Sequence, residues 1–254
     1  MRIIGVVSGK GGVGKTSLVA NLSTILATTF GKKVTVIDCN ITTSHLSMYF
    51  GIYFTSTTLN DVLRNDVSVE QAIYKHFTGV NVIPSSLKLN DIKGVDLSKL
   101  NVVINKLPKS DFVILDIAPG FGNEALSGIV ASRELIIVCT PNILSITDAI
   151  RCRDFAEERN IKILGLVLSK VRNKKYELTT EEVRNLTRLP IIASIPYDKA
   201  VEESITAKMP VVVYKPNSKA SKEYVKLASY LLGVKFKERK NILTRIFEMI
   251  KGVS

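Results

Sequence analysis

Residues 9–16 read GKGGVGKT, the pattern GxxxxGK[ST], between the apolar run Ile3–Ser8 and the helix-compatible stretch Lys15–Thr29. Entered from a strand and left through a helix, this pattern is a phosphate-binding loop. Gly9, Gly11, Gly12 and Gly14 let backbone N–H groups approach and wrap a polyphosphate. The helix that follows adds the positive end of its dipole. Lys15 is expected to reach the β- and γ-phosphates, and the Thr16 hydroxyl to ligate Mg²⁺. Nucleotide contacts are therefore expected from Gly11, Gly12, Val13, Gly14, Lys15, Thr16 and Ser17.

The rest of the chain repeats the strand–helix alternation. Lys33–Asp38, Val80–Pro84, Asp111–Asp116, Leu135–Thr140, Ile163–Ser169 and Ile191–Ile195 read as further strands. They are nearly all apolar, which marks strands buried on both faces of a parallel sheet. Helices are expected at Asp96–Lys106, Asn123–Ser132, Ser145–Arg159, Thr179–Leu186, Lys199–Lys208 and Asn217–Leu232. The fold class is α/β: a doubly wound, mostly parallel sheet flanked by helices, a P-loop NTPase fold. Hydrophobic residues at 46% and charged residues at 23% exclude a disordered chain. Residues 1–234 read as one ATPase domain and 235–254 as a basic amphipathic tail.

A net charge of +12 points to an anionic partner: nucleotide, nucleic acid or lipid headgroups. Cys39, Cys139 and Cys152 lack metal-type spacing and read as reduced thiols. His45 and His76 have no paired ligands. The apolar N-terminus is too brief for a secretory segment, and no run approaches the ~18 residues of a membrane span.

Residues 112–116, FVILD, form a buried strand ending in an acid. Asp116 is placed beside the phosphate loop, where such an acid holds Mg²⁺ through water. The second loop residue is Lys10, and a lysine there, with this loop, resembles the deviant Walker A ATPases of the MinD/ParA family. The resemblance covers most of the chain, including the IPYD turn at 195–198 and the MPVV segment before Pro216. It implies that Lys10 crosses an ATP-sandwiched homodimer to the partner subunit's phosphates. It also implies that IAPGFGNEAL, residues 117–126, is the second switch, with the Gly120 N–H facing a γ-phosphate oxygen. Residues 34–43, VTVIDCNITT, match the family's first switch at Asp38, which is expected near Mg²⁺. Asn40 stands where the family carries a second acid that orients the attacking water. An amide still accepts a hydrogen bond from water but cannot take its proton at neutral pH. The expectation is slow hydrolysis, or a non-hydrolysing ATP-gated scaffold; the alternative role for Asn40 is capping the next helix. The family's base pocket corresponds to Ser169-Lys170 and Ile195–Asp198, with Pro196 and Asp198 as candidate contacts. Many relatives carry Asn where Ser169 stands. ATP is favoured over GTP, since no guanine-recognition box is present.

In the tail, Ile242, Leu243, Ile246, Phe247 and Ile250 recur on one helical face, and residues 235–254 carry six Lys/Arg against two Asp/Glu. A basic amphipathic helix suits an anionic bilayer surface. Its position also resembles the membrane-targeting helix of MinD proteins. One copy would bind weakly; two on one dimer gain avidity. The resulting expectation is a MinD-like ATP-dependent switch, cytoplasmic and peripheral on the inner face of the cell membrane, that positions an unidentified protein client. A ParA-like partition ATPase binding DNA without sequence preference is the rival. The basic run Lys170–Tyr176 would then touch nucleic-acid phosphates, or is a solvated loop. Asp148, Arg151 and Arg153 lie on a helix that in relatives is near the dimer face, or form an ordinary polar surface. An iron–sulfur carrier would need a Cys pair, and no Cys-x-x-Cys is present.

Overall fold

Eight strands form one sheet in the computed structural model, which describes residues 1–234. The strands are β1 (Arg2–Val7), β2 (Val34–Cys39), β3 (Tyr74–Lys75), β4 (Val80–Ile83), β5 (Phe112–Ile117), β6 (Glu134–Cys139), β7 (Lys162–Val171) and β8 (Ile191–Pro196). Their order across the sheet is β3-β4-β2-β5-β1-β6-β7-β8. β3 runs antiparallel to β4, and every other pairing is parallel. Successive side chains of a strand point to opposite faces, so β1 sends Ile4 and Val6 into one core and Ile3 and Val7 into the other. Every residue of β2 and β5 is buried, which is why these strands are apolar apart from Thr35, Asp38 and Asp116.

Among the described residues ten α-helices connect and cover the strands: α1 (Lys15–Thr28), α2 (Leu46–Tyr49), α3 (Leu59–Arg64), α4 (Leu100–Asn105), α5 (Asn123–Ala131), α6 (Ile143–Glu158), α7 (Thr180–Thr187), α8 (Lys199–Thr206), α9 (Val211–Tyr214) and α10 (Lys219–Leu232). α3 to α7 supply the core beside Ile3, and α1, α2, α9 and α10 the core beside Val6. Twelve of the fourteen residues of α1 are buried, so hydroxyls along its buried length turn back to the helix backbone. Ser23 and Thr24 donate back to the Ala20 carbonyl at 3.0 and 2.8 Å, and Thr28 to that of Thr24 at 2.8 Å.

The expected elements are all present within a few residues, with three differences. The 96–106 stretch is a 3₁₀ turn (Leu97–Lys99) running into α4, because Asp96 caps Ser98 N–H at 3.0 Å and starts a tight turn. α6 begins at Ile143, not Ser145: the Asn142 carboxamide oxygen accepts from Ser145 N–H at 3.0 Å and caps the helix. The segment between β2 and β4 contains unforeseen elements. α3 opens on a capping box in which the Asp61 carboxylate takes the Thr58 N–H at 2.7 Å. Tyr74 and Lys75 of β3 pair with the edge of β4. The five apolar tail positions, 242, 243, 246, 247 and 250, lie outside the described residues.

α1 packs against the sheet and α10, so truncating a fully buried Leu22 should open a cavity. We expect Leu22→Ala to lower unfolding free energy by about 2–5 kcal/mol in urea titrations. A loss below ~1 kcal/mol would show that α1 does not carry the core.

Candidate nucleotide site

The parallel register brings the site together. Val6 of β1 and Asp38 of β2 both lie opposite Asp116 of β5, so the loop after β1 and the two acids meet at one edge of the sheet. Lys15 Nζ donates to Asp116 Oδ1 at 3.0 Å, with both side chains buried. Asp38 accepts from the Ser44 hydroxyl at 2.7 Å and from the N–H groups of Leu46 and Asn40 at 3.1 and 3.0 Å. Burial, and then the charge of Asp116, still push the Asp38 carboxyl up to about 7 against those three hydrogen bonds. The Lys15 ammonium pairs with Asp116 alone, and Asp38, buried beside them, is held by hydrogen bonds without a cation partner among the described residues.

Glycine is required in the loop for more than access to phosphate. Gly14 caps α1 at φ 95°, and a Cβ there would lie 2.7 Å from Ser169 Oγ. A Cβ on Gly9 would lie 2.2 Å from Cβ of Asp148, so α6 packs directly on the loop. Asp148 is thus partly explained by packing; it also stands 3.7 Å from Arg151. Arg153 pairs with Asp154 and donates to the Thr187 carbonyl at 2.7 Å, which ties α6 to α7.

A cleft of about 500 Å³ opens beside the loop. Lys10 to Ser17 line it, as do Asn40, Ser169, Lys170, Pro196 and Asp198. These are most of the residues singled out from sequence. Gly120 is not among the lining residues, whereas Pro119 is. The Gly120 N–H donates to the Ser8 carbonyl at 2.9 Å. Asn40 does not cap a helix: α2 starts after His45, and the Asn40 carboxamide closes a turn instead. Its Nδ2 donates to the Thr43 carbonyl at 2.7 Å and its Oδ1 accepts from the Thr43 hydroxyl at 3.0 Å. The adjacent Thr42 hydroxyl donates to Glu124 of α5.

Asp198 has a structural function as well as a place in the cleft. Its carboxylate accepts from Ala200 N–H at 3.0 Å and Ala220 N–H at 3.1 Å, so it caps α8 and tethers the start of α10. Burial opposes its ionisation, yet those N–H groups hold its carboxyl below the ordinary value. Sequence reasoning missed Met48, Tyr49 and Tyr224, which also line the cleft. The Tyr224 phenol is 3.2 Å from Ser17 Oγ. Burial pushes it up to about 12, with the Ser17 contact opposing. No short motif marks these residues, because α2 and α10 reach the cleft only through the fold.

The donors available to a cation are oxygens: the Thr16 hydroxyl and the Asp38 and Asp116 carboxylates. Among the described residues no cluster of three or more His, Cys, Asp or Glu forms a metal cage. This chemistry fits Mg²⁺, which binds through one or two carboxylates together with phosphate and water.

Asp38 titration has a definite sign. The folded protein retains a proton that the unfolded chain releases near 3.8, and gives it up at about 7. The stabilisation is complete below the lower value and is lost as pH rises through the upper one. In nucleotide- and Mg²⁺-free protein, the unfolding free energy of Asp38→Asn relative to the parent should therefore increase between about pH 4 and pH 8. A difference that does not vary with pH in urea titrations would refute the buried-carboxyl assignment.

Residues 4–211 match the family model described as the CobQ/CobB/MinD/ParA nucleotide binding domain. An uncharacterised ATP-binding protein of Methanocaldococcus jannaschii is 38% identical over 233 residues, covering 91% of this chain and 88% of its own. The solved cell division ATPase MinD of Pyrococcus furiosus superposes with a TM-score of 0.88 at 35% identity, covering 91% of this chain and 98% of that one. The septum site-determining protein MinD of Pyrococcus horikoshii, solved with Mg-ADP, gives 0.87 at 34%, covering 91% and 95%.

Proposed function

The chain belongs to the CobQ/CobB/MinD/ParA nucleotide-binding family, and on that footing we propose that it is a MinD-like ATPase acting as a membrane switch. The observation that carries this reading is that the GKGGVGKT loop, which lines the cleft from Lys10 to Thr16, stands against the buried acids Asp38 and Asp116 at the ends of β2 and β5, with Lys15 bonded to Asp116 at 3.0 Å. The backbone from Gly11 to Ser17 and the Lys15 ammonium hold the phosphates. Gly120 turns its N–H from the Ser8 carbonyl toward the terminal phosphate when the second switch moves. Thr16, Asp38 and Asp116 would hold Mg²⁺, directly or through water, and bound Mg²⁺ supplies charge neutralisation to the phosphates. Pro196 borders the base, while Asp198 contributes by fixing the helices around it.

Lys10 reaches the phosphates of the partner subunit, so ATP joins two copies into a homodimer. Each copy then offers residues 235–254 to an anionic bilayer, with Ile242, Leu243, Ile246, Phe247 and Ile250 as the apolar face. Among the described residues no helix is long and apolar enough to cross a membrane, so contact is from the surface. The protein would work at the inner face of the cell membrane, where it positions a protein client. Full-length protein should pass from monomer to dimer on adding ATP and Mg²⁺, and should co-sediment with anionic liposomes only then. Removal of residues 240–254 should abolish sedimentation, and Lys10→Ala should abolish dimerisation. Liposome binding indifferent to nucleotide, or a Lys10 variant that still dimerises by light scattering, would reject the switch. DNA binding with a steep salt dependence and no liposome binding would instead favour the partition reading, which rests on the exposed cations of the 170–176 loop.

Turnover is expected to be slow. Both atoms of the Asn40 carboxamide are engaged by Thr43, and neither can accept a proton from water near neutral pH. Restoring a carboxylate with Asn40→Asp should raise phosphate release by about tenfold or more, the lower range of general-base contributions being ~100-fold. A fast native rate that the substitution leaves unchanged would refute this role for Asn40.

A further inference from the structure

α10 turns its apolar residues toward α1 and β8 and leaves Lys219, Lys222, Lys226 and Tyr230 exposed. Their spacing of three, four and four residues sets them in one line along the helix. The β7–α7 loop faces this line, since Asn173 of the loop and the three lysines border one groove of about 380 Å³. Glu177 pins that loop through its backbone: its carboxylate accepts from Arg172 N–H at 3.0 Å and from Lys174 N–H at 3.2 Å. The side chains of Lys174 and Lys175 are left to solvent, and Arg172 lies 3.9 Å over the Tyr197 ring. Lys219, Lys222, Lys226, Arg172, Lys174 and Lys175 thus give this side six cations against two acids, Glu177 and Glu223, and Glu223 already pairs with Lys226 at 2.6 Å. Little of the positive charge is neutralised within the protein.

Resting on the membrane reading above, we infer that this face is a second bilayer contact, which lies on anionic lipid headgroups beside the tail. Three observations favour a bilayer over a nucleic acid. The lysine line runs along the helix whose end, at Gly233, leads directly into residues 235–254. Tyr230, the exposed aromatic nearest that end, is of the kind that settles at headgroup level. A single short amphipathic segment gives marginal attachment, and a polybasic patch is the second signal that makes it stable. Each lysine near an anionic surface strengthens partitioning by about fivefold, within a Debye length of the bilayer.

The test uses the full chain with ATP and Mg²⁺ and two kinds of vesicle, phosphatidylcholine alone and phosphatidylcholine with phosphatidylglycerol. The variant changes Lys219, Lys222 and Lys226 to Gln; none lines the nucleotide cleft, so ATP binding and melting temperature should match the parent. Affinity for the anionic vesicles should fall about tenfold or more, with a shallower salt dependence. The weak binding to phosphatidylcholine should not change. A second variant, with Lys174 and Lys175 changed to Gln, neither of which lines the nucleotide cleft, should also lose affinity for the anionic vesicles. If the parent binds anionic vesicles and both variants bind them equally well, this inference fails and the membrane reading stands. If the parent ignores anionic vesicles, both fail. Loss of binding to duplex DNA with vesicle binding intact would assign the face to nucleic acid and overturn the proposal.

Discussion

Parallel pairing of β1 and β2 with the central strand β5 is the constraint from which the site follows. Parallel strands finish on the same edge of a sheet, so whatever ends them must meet there. The glycine loop leaves β1 at that edge, and the register sets Asp38 and Asp116 side by side. Two buried carboxylates repel, and Lys15 relieves one of them at 3.0 Å. A buried ion pair gains little net stability, but removing one partner leaves an uncompensated charge. The Lys15–Asp116 contact therefore fixes the position of the loop relative to β5 more than it strengthens the fold. Asp38 has no such partner among the described residues, and burial first, then the charge of Asp116, raise its carboxyl. The result is a local electrostatic deficit of the kind a divalent cation removes.

The wall opposite the sheet is built by polar contacts from α1. Asn21 donates to the Ser17 carbonyl at 2.7 Å and accepts from Val212 N–H at 3.1 Å, which links α1 to α9. Ser17 meets Tyr224 and so links α1 to α10. Asp198 joins α8 to the start of α10. The helix that begins at the phosphate loop is thus hydrogen-bonded, through side chains buried in an otherwise apolar layer, to the helices around the other end of the cleft. Buried polar groups are costly unless paired, so these contacts specify one relative placement of the helices.

Much of this was readable from local chemistry. The glycine loop, the apolar strands and the acid ending β5 carry their meaning in consecutive residues, and the structure reproduces their extents closely. What escaped depends on partners distant in sequence. Tyr224 reads as an ordinary residue of an amphipathic helix until α10 folds onto α1. Asp198 has the sequence context of a base contact, yet its carboxylate satisfies two helix N-termini, one of them twenty-two residues away. Asn40 resembled a helix cap because Asx residues favour caps, but four residues separate it from the cap position at His45. The region between β2 and β4 lacks long periodic runs; its order comes from short capping boxes at Thr58 and Ser68.

The cysteines show how the same burial that shapes the site also restricts its chemistry. Cys39 lies between Asp38 and Asn40 and is buried with them. Burial, reinforced by the charges of Asp38 and Asp116, pushes its thiol well above the ordinary value. Cys139 and Cys152 are pushed up to about 12, chiefly by burial. The thiolate is the form that attacks and that binds metal, so all three side chains are held in their unreactive state. Each also packs in the core on one face of the sheet, in the company of Ile and Leu. They behave as small apolar residues, and an iron–sulfur or thiol-transfer role would require the sheet to open. The chemistry left to the cleft is that of ammonium, hydroxyl, carboxylate and backbone N–H, which is the chemistry of phosphate.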